Sequence, residues 1–158
     1  MDTHTTEPTN IKQTALVLNA CIEACIDGQK TYALAAADVR DPRLKEMLQW
    51  HSDQRARYVL QIQGVLQRMG LNPENEGTIR GEVRRQWMET RHGVELVHSD
   101  YAVLRQCIQD QEAALRRFTS ASQLATSTLP VDVRVMLDEQ CANIALALDE
   151  TRRRLDSH

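Results

Sequence analysis

Apolar side chains recur along most of this chain at alternating steps of four and three residues, the spacing of one face of a long α-helix. The first such seam runs Ile11, Ala15, Leu18, Ile22, Cys25, Gln29, Tyr32, Ala36, with Val17, Ala20, Ala24, Ala33 and Ala37 beside it. It predicts a helix of about 27 residues, roughly 40 Å long and covered on more than one side. The break "DVRDPR" offers Asp41 as N-cap and Pro42 at the first helical position, where proline's missing amide hydrogen costs nothing. A second seam follows through Leu44, Leu48, His51, Arg55, Tyr58, Ile62, Val65 and Met69, and Gly70 ends it as a C-terminal glycine.

"GLNPENEG" is a loop by composition. A weaker pattern after Thr78, through Val83, Trp87 and Met88, is expected to form a short helix that Gly93 ends or bends. The strong period returns in Tyr101, Leu104, Ile108, Gln111, Leu115, Phe118 and Ser122, a third long helix. After the loop "LATSTLP", Pro130 opens a fourth through Val133, Leu137, Gln140, Ile144, Ala147 or Leu148, and Leu155. Short connections make helices one and two, and three and four, antiparallel neighbours. The long middle connection can traverse the bundle, which is ferritin-like connectivity as opposed to simple up-down-up-down. The expected fold is all-α: a ferritin-like four-helix bundle with a shorter crossover helix between the second and third long helices. Residues 1–10 are expected to be a disordered tail, and 11–156 a single domain.

Composition agrees with that class and removes others. Apolar residues are 42% and charged residues 26% of the 158, the balance of an ordinary globular protein, and six Gly with four Pro leave little material for a turn-rich β fold. Net charge is -3 with both signs interspersed, and no basic stretch carries interleaved aromatics, which excludes a dedicated nucleic-acid surface. Arg152, Arg153 and Arg154 sit in the last helical turns, where cations favour the helix dipole. The polar start has neither a basic n-region nor a cleavage site, and no apolar run approaches the ~20 residues that span a bilayer. Cys21, Cys25, Cys107 and Cys141 all fall inside helical patterns without a CxxC pair, as small buried thiols in a reducing cytoplasm would. Cys21 and Cys25, one turn apart, are a secondary candidate for a redox or soft-metal pair.

Several stretches carry a family resemblance: "LNACIEACIDGQKTYALAA", "RDPRLKEML", "QRARYVLQIQ", "GLNPENEGTIRGEVRRQWM" and "LPVDVRVMLDEQ". Over roughly Leu16 to Glu150 the chain resembles the small bacterial ferritin-like four-helix-bundle family known as domain of unknown function 2383. Its most specific parts are Asp27-Gly28, the Asp41-Pro42 turn, and Gly77, Gly81 and Trp87. The resemblance implies a fold and no reaction. It also implies departures: Gln29, Gln54 and Gln61 stand where the family commonly has acidic residues, and Arg84 and Leu148 where it often has His. Ile108 and Gln111 stand where it is richer in Glu.

A di-iron or di-manganese carboxylate centre needs a Glu from each of two helices and a Glu-x-x-His from each of the other two. No long seam here supplies that motif: Glu46 is followed three residues on by Gln49, Glu112 by Leu115 and Glu139 by Ala142. Glu89 with His92 and Glu95 with His98 have the spacing but flank Gly93, as solvated turns would. His51 is the one histidine in a long seam. The expectation is therefore a buried polar layer of Gln29, His51, Gln54, Gln111 and Gln140 with no metal and no cofactor. Glutamine copies a carboxylate's shape without its charge, so affinity for a hard cation falls. The alternative is a degenerate iron or manganese site using Glu23, Asp27, His51 and Glu112, in a metal-binding or oxidase-like protein; otherwise Glu23 and Asp27 read as a solvated or interface face. No Gly-rich phosphate loop or G-x-S-x-G points to another enzyme.

The function expected from the sequence is a non-enzymatic structural or interaction protein, linked to stress, cytoplasmic and homodimeric. Partners expected are a second copy, no nucleic acid and no membrane; a small-molecule ligand is unidentified. Self-association is expected to use Val17, Ala20 and Ala24, with Trp50 and Trp87 lying off the main seams.

Overall fold

A computed structural model of the chain describes residues 7–73, 99–124 and 129–157, with side chains from residue 11 onward. The described residues form four long helices and no strand: α1 (Glu7–Asp38), α2 (Pro42–Arg68), α3 (Asp100–Leu124) and α4 (Val131–Asp156). The protein is an all-α four-helix bundle. The expected crossover helix, with Trp87, Arg84 and both Glu-x-x-His spacings, lies outside the described residues, as does the tail before Glu7. Helix α1 starts a turn before its apolar seam, because Pro8 in a first turn forfeits no helical hydrogen bond.

Each expected terminus has its physical cause in place. Asp41 adopts an extended backbone and its Oδ1 accepts from Arg43 N at 2.9 Å, with Pro42 opening α2. At the other end Gly70 takes φ 74°, and Leu71 N donates to Leu66 O while Gly70 N donates to Gln67 O, the paired bonds of a Schellman motif. Helix α1 has no basic residue in its own last turn, and Lys45 of α2 supplies one, its Nζ donating to the carbonyl of Ala36 at 2.9 Å.

Side-chain contacts fix the directions. Gln29 O with Ser52 makes α1 and α2 antiparallel; Asp27 with Arg117 and Gly28 with Gln111 do so for α1 and α3. Glu112 with Arg152 pairs α3 against α4, and Gln61 with Gln140 pairs α2 against α4. Every adjacent pair is therefore antiparallel, in the ring α2–α1–α3–α4, with α2 and α3 parallel across the diagonal. Helix α3 therefore starts at the end of the bundle where α2 began. That start is held by Asp100, whose carboxylate accepts from Arg40 N at 2.8 Å and Asp41 N at 3.0 Å, beside Ser99 capping Ala102 N.

The core has two apolar halves. One gathers Leu18, Ile22, Cys25, Ile62, Leu66, Phe118, Leu137 and Ile144; the other gathers Tyr32, Ala35, Leu44, Leu48, Leu104 and Cys107 around the α1–α2 turn. Between them lies a belt of buried polar side chains. Packing around the ring is uneven: α1 seats firmly on α2 and α3, whereas α2 and α4 meet along a loose seam with clefts of about 670 and 440 Å³.

Asp100 joins the α3 start to the α1–α2 turn through two charge-assisted bonds, so Asp100→Ala is expected to lower stability by about 1–3 kcal/mol, measured by urea denaturation.

Candidate functional site

The belt between the apolar halves is centred on Arg55, the largest fully buried side chain among the described residues, at 1% exposure. Its guanidinium lies over the face of Tyr32, 5.4 Å from the ring centroid, and Nη1 donates to Gln111 Oε1 at 3.4 Å. Gln111 is itself fully buried and turns its amide toward α1, where Nε2 donates to the carbonyl of Gly28 at 2.9 Å and to the hydroxyl of Thr31. Thr31 Oγ1 in turn donates to Gly28 O. One glutamine thus ties α3 to α1 and receives α2 through Arg55.

Gly28 makes room for this. A Cβ there would stand 2.8 Å from Arg55 Nη1 and 3.1 Å from Gln111 Oε1. The first approach is closer than such atoms come, so a side chain at position 28 would push the guanidinium away from its present place against α1. Gly64, also in a helix, shows the contrast: its Cβ would meet nothing nearer than Arg68 Nη1 at 3.5 Å.

One turn before Arg55 on α2, His51 is buried against the same tyrosine, with ring centroids 5.1 Å apart. Its Nε2 is 3.3 Å from Glu150 Oε1 of α4. Burial lowers the imidazole pKa; Glu150 opposes that shift and Arg55 adds to it. Burial also pushes the Tyr32 hydroxyl well above its ordinary value. The thiols follow the same rule: Cys25 is pushed up to about 12, and Cys21 and Cys107 rise as well, so these are packing groups and poor nucleophiles. All four cysteines are unpaired.

The expected polar residues fall into three places. Gln111 and His51 are in the belt. Gln140 is buried two to three turns away and donates to Gln61 Oε1 at 2.8 Å, bridging α4 and α2. Gln29 is half-buried beside the belt and contributes its backbone carbonyl, which accepts from Ser52 Oγ; Gln54 is half-buried too. The sequence reading placed Arg55 and Tyr32 on the seams and Gly28 among the family's specific positions, but counted none of them, nor Thr31, in the polar layer. Arginine at a seam position four residues after His51 was the available signal, with a glycine level with it on the facing helix.

The acidic candidates are dispersed among separate ion pairs. Asp27, expected on a solvated or interface face, is 3% exposed because α1 is covered on both sides; its Oδ2 accepts from Arg117 Nη2 at 2.9 Å. Glu112 pairs with Arg152 at 3.2 Å on the surface, and Glu23 is half-buried a turn from Asp27. Among the described residues no three His, Cys, Asp or Glu side chains come close enough to hold a metal ion.

Burial raises the Asp27 carboxyl to about 6; Arg117 opposes the rise and Glu23 adds to it. A carboxyl with a folded pKa above its unfolded one binds its proton more tightly when folded. The contribution of Asp27 to stability is therefore largest at acid pH and falls as pH rises from about 4 to about 6. The difference in unfolding free energy between the wild type and Asp27→Asn, from urea titrations, is expected to decline by no more than about 3 kcal/mol over that interval and to level off above it.

Comparison with known proteins adds a family and no activity. The model of a domain of unknown function, DUF2383, matches residues 13–124. The match spans α1, α2 and α3, and so includes Gly28, Tyr32, His51, Arg55 and Gln111, while α4 lies beyond it. No curated protein matches the chain. No described helix is long and apolar enough to cross a membrane. The chain belongs to the DUF2383 family, whose function is unknown.

Proposed function

We propose that the protein is a metal-free, ferritin-like bundle that serves as a structural or interaction protein in the bacterial cytoplasm, as a homodimer. The observation that carries this is Arg55. In ferritin-like carboxylate proteins the metals lie between facing helices in the bundle core, held by anionic side chains. In this chain the middle of the core holds a guanidinium, and the groups turned to it are a neutral amide and a tyrosine face. A fixed cation at low dielectric repels a divalent ion strongly, and the amide of Gln111 supplies none of the charge that a carboxylate would. The single long connection in the middle of the chain, with all adjacent helices antiparallel, supports the ferritin-like reading.

Self-association rests on different residues from those first expected. Val17 and Ala24 belong to the core, and Ala20 is half-buried against it. Leu16 on α1 is 73% exposed, and Leu124, 72% exposed, stands with Ala20 and Ala121 at the apolar end of an α1–α3 groove whose other end holds Glu23, Asp27, Arg116 and Arg117. A groove with both charge signs at one end and apolar groups at the other is self-complementary, which favours a two-fold pairing of identical chains. Trp50 is exposed on α2 with Arg57 stacked on its ring.

Two measurements test this. Plasma mass spectrometry of untagged protein, before and after incubation with Fe(II) and Mn(II), is expected to find metal well below one equivalent; near-stoichiometric retained metal would overturn the metal-free reading. Size exclusion with light scattering is expected to give about twice the 18.0 kDa chain mass, and a monomer at high micromolar concentration would remove the dimer.

A further inference from the structure

The guanidinium of Arg55 uses one of its three nitrogens. Nη1 reaches Gln111, while Nε and Nη2 are buried with no hydrogen-bond partner. These two nitrogens lie along one edge of the planar group and carry parallel N–H bonds, the fork that takes a carboxylate, an oxyanion or a halide with two bonds at once. No carboxylate stands within ion-pair distance of Arg55 among the described residues: Asp27 is engaged by Arg117, and Glu150 faces His51. Arginine keeps its charge in folded proteins, and an isolated buried charge without a counterion costs several kcal/mol. His51, one turn away on the same face of α2 and against the same tyrosine, has Nδ1 buried without a hydrogen-bond partner and Nε2 3.3 Å from Glu150 Oε1. On Arg55 itself two buried N–H donors stay unused.

We propose that the bundle core holds a small monovalent anion on the Nε–Nη2 edge of Arg55, beside His51 and Tyr32. The occupant accepts two parallel N–H bonds and is weakly enough hydrated to leave water, as bromide, chloride and nitrate are and fluoride is not. Arg55 is sealed from solvent, so the ion enters where the packing is weakest, the α2–α4 seam. Glu150 stands at that seam, lining the larger cleft on one side and facing His51 on the other. The anion site is independent of any dimer or partner role.

The experiment is thermal unfolding of the full chain at constant ionic strength as fluoride is replaced by bromide or nitrate. Weakly hydrated anions without a site leave stability unchanged or lower it relative to strongly hydrated ones. A bound anion gives the opposite order: a saturable rise in Tm of about 5 °C or more, because only the folded state offers the fork. In Arg55→Met the rise is expected to vanish. Should that variant not fold, anomalous diffraction from wild-type crystals grown in bromide decides, with a peak at hydrogen-bond distance from Nε and Nη2 expected. A Tm that does not rise as bromide replaces fluoride, or a bromide-free edge occupied by water or by a rotated Glu150, would overturn the proposal.

Discussion

A buried guanidinium sets the terms for the middle of this bundle. Arg55 cannot discharge itself, and its alkyl stem and planar head fill a volume that would otherwise belong to apolar packing between the two halves of the core. Everything level with it is shaped to admit it: a glycine on α1 where a methyl group would collide, a glutamine on α3 that accepts one N–H, and a tyrosine face that receives the charge. The second role of Gln111, donating to Gly28 and Thr31, follows from the first, because an amide oriented to accept on one side must donate on the other. The bonds that Gln111 makes to Arg55, Gly28 and Thr31 fix the register of three helices, since sliding any of them by one turn would break them.

The long helices, their ends and their antiparallel pairing were legible in the sequence because they depend on local rules. Period, Asp41-Pro42 and Gly70 each act within a few residues, and the structure has the cap, the first-turn proline and the Schellman glycine where those rules put them. Asp100 was not legible in this sense. A carboxylate that bonds backbone amides some sixty positions earlier has no local signature, and the stretch around it reads only as a break before a helix.

The centre of the bundle was legible in part. A polar residue on a seam announces itself, and Gln111 and His51 were found that way. Arg55 sits on the same seam, but arginine can snorkel, so a seam position alone does not tell a buried head from a stem that carries its charge to water. Gln29 was misleading for a related reason: the helix turns Gly28, Thr31 and Tyr32 toward the belt and leaves position 29 at its margin, giving only a carbonyl. Asp27 was read as part of a solvated or interface face although α1 was expected to be covered on more than one side; packing against two neighbours buries residues on either side of its seam, Asp27 among them. The family resemblance had marked Asp27-Gly28 as characteristic. The geometry gives those two positions separate jobs, one in an ion pair with α3 and the other in clearing space for α2.

The central claim is that Gly28 exists to accommodate Arg55, and a double-mutant cycle addresses it most directly. Unfolding free energies of the wild type, Gly28→Ala, Arg55→Met and the double variant are to be measured by urea denaturation. With the guanidinium present, the added methyl group is expected to cost about 1–3 kcal/mol through overpacking. With Arg55 replaced, the same change is expected to stabilise by about 0.5–1 kcal/mol, the ordinary preference of a helix interior for alanine over glycine. That change of sign is a coupling of roughly 2 kcal/mol or more, well beyond the additivity seen for independent sites. Additive effects, with Gly28→Ala tolerated equally in both backgrounds, would contradict the account.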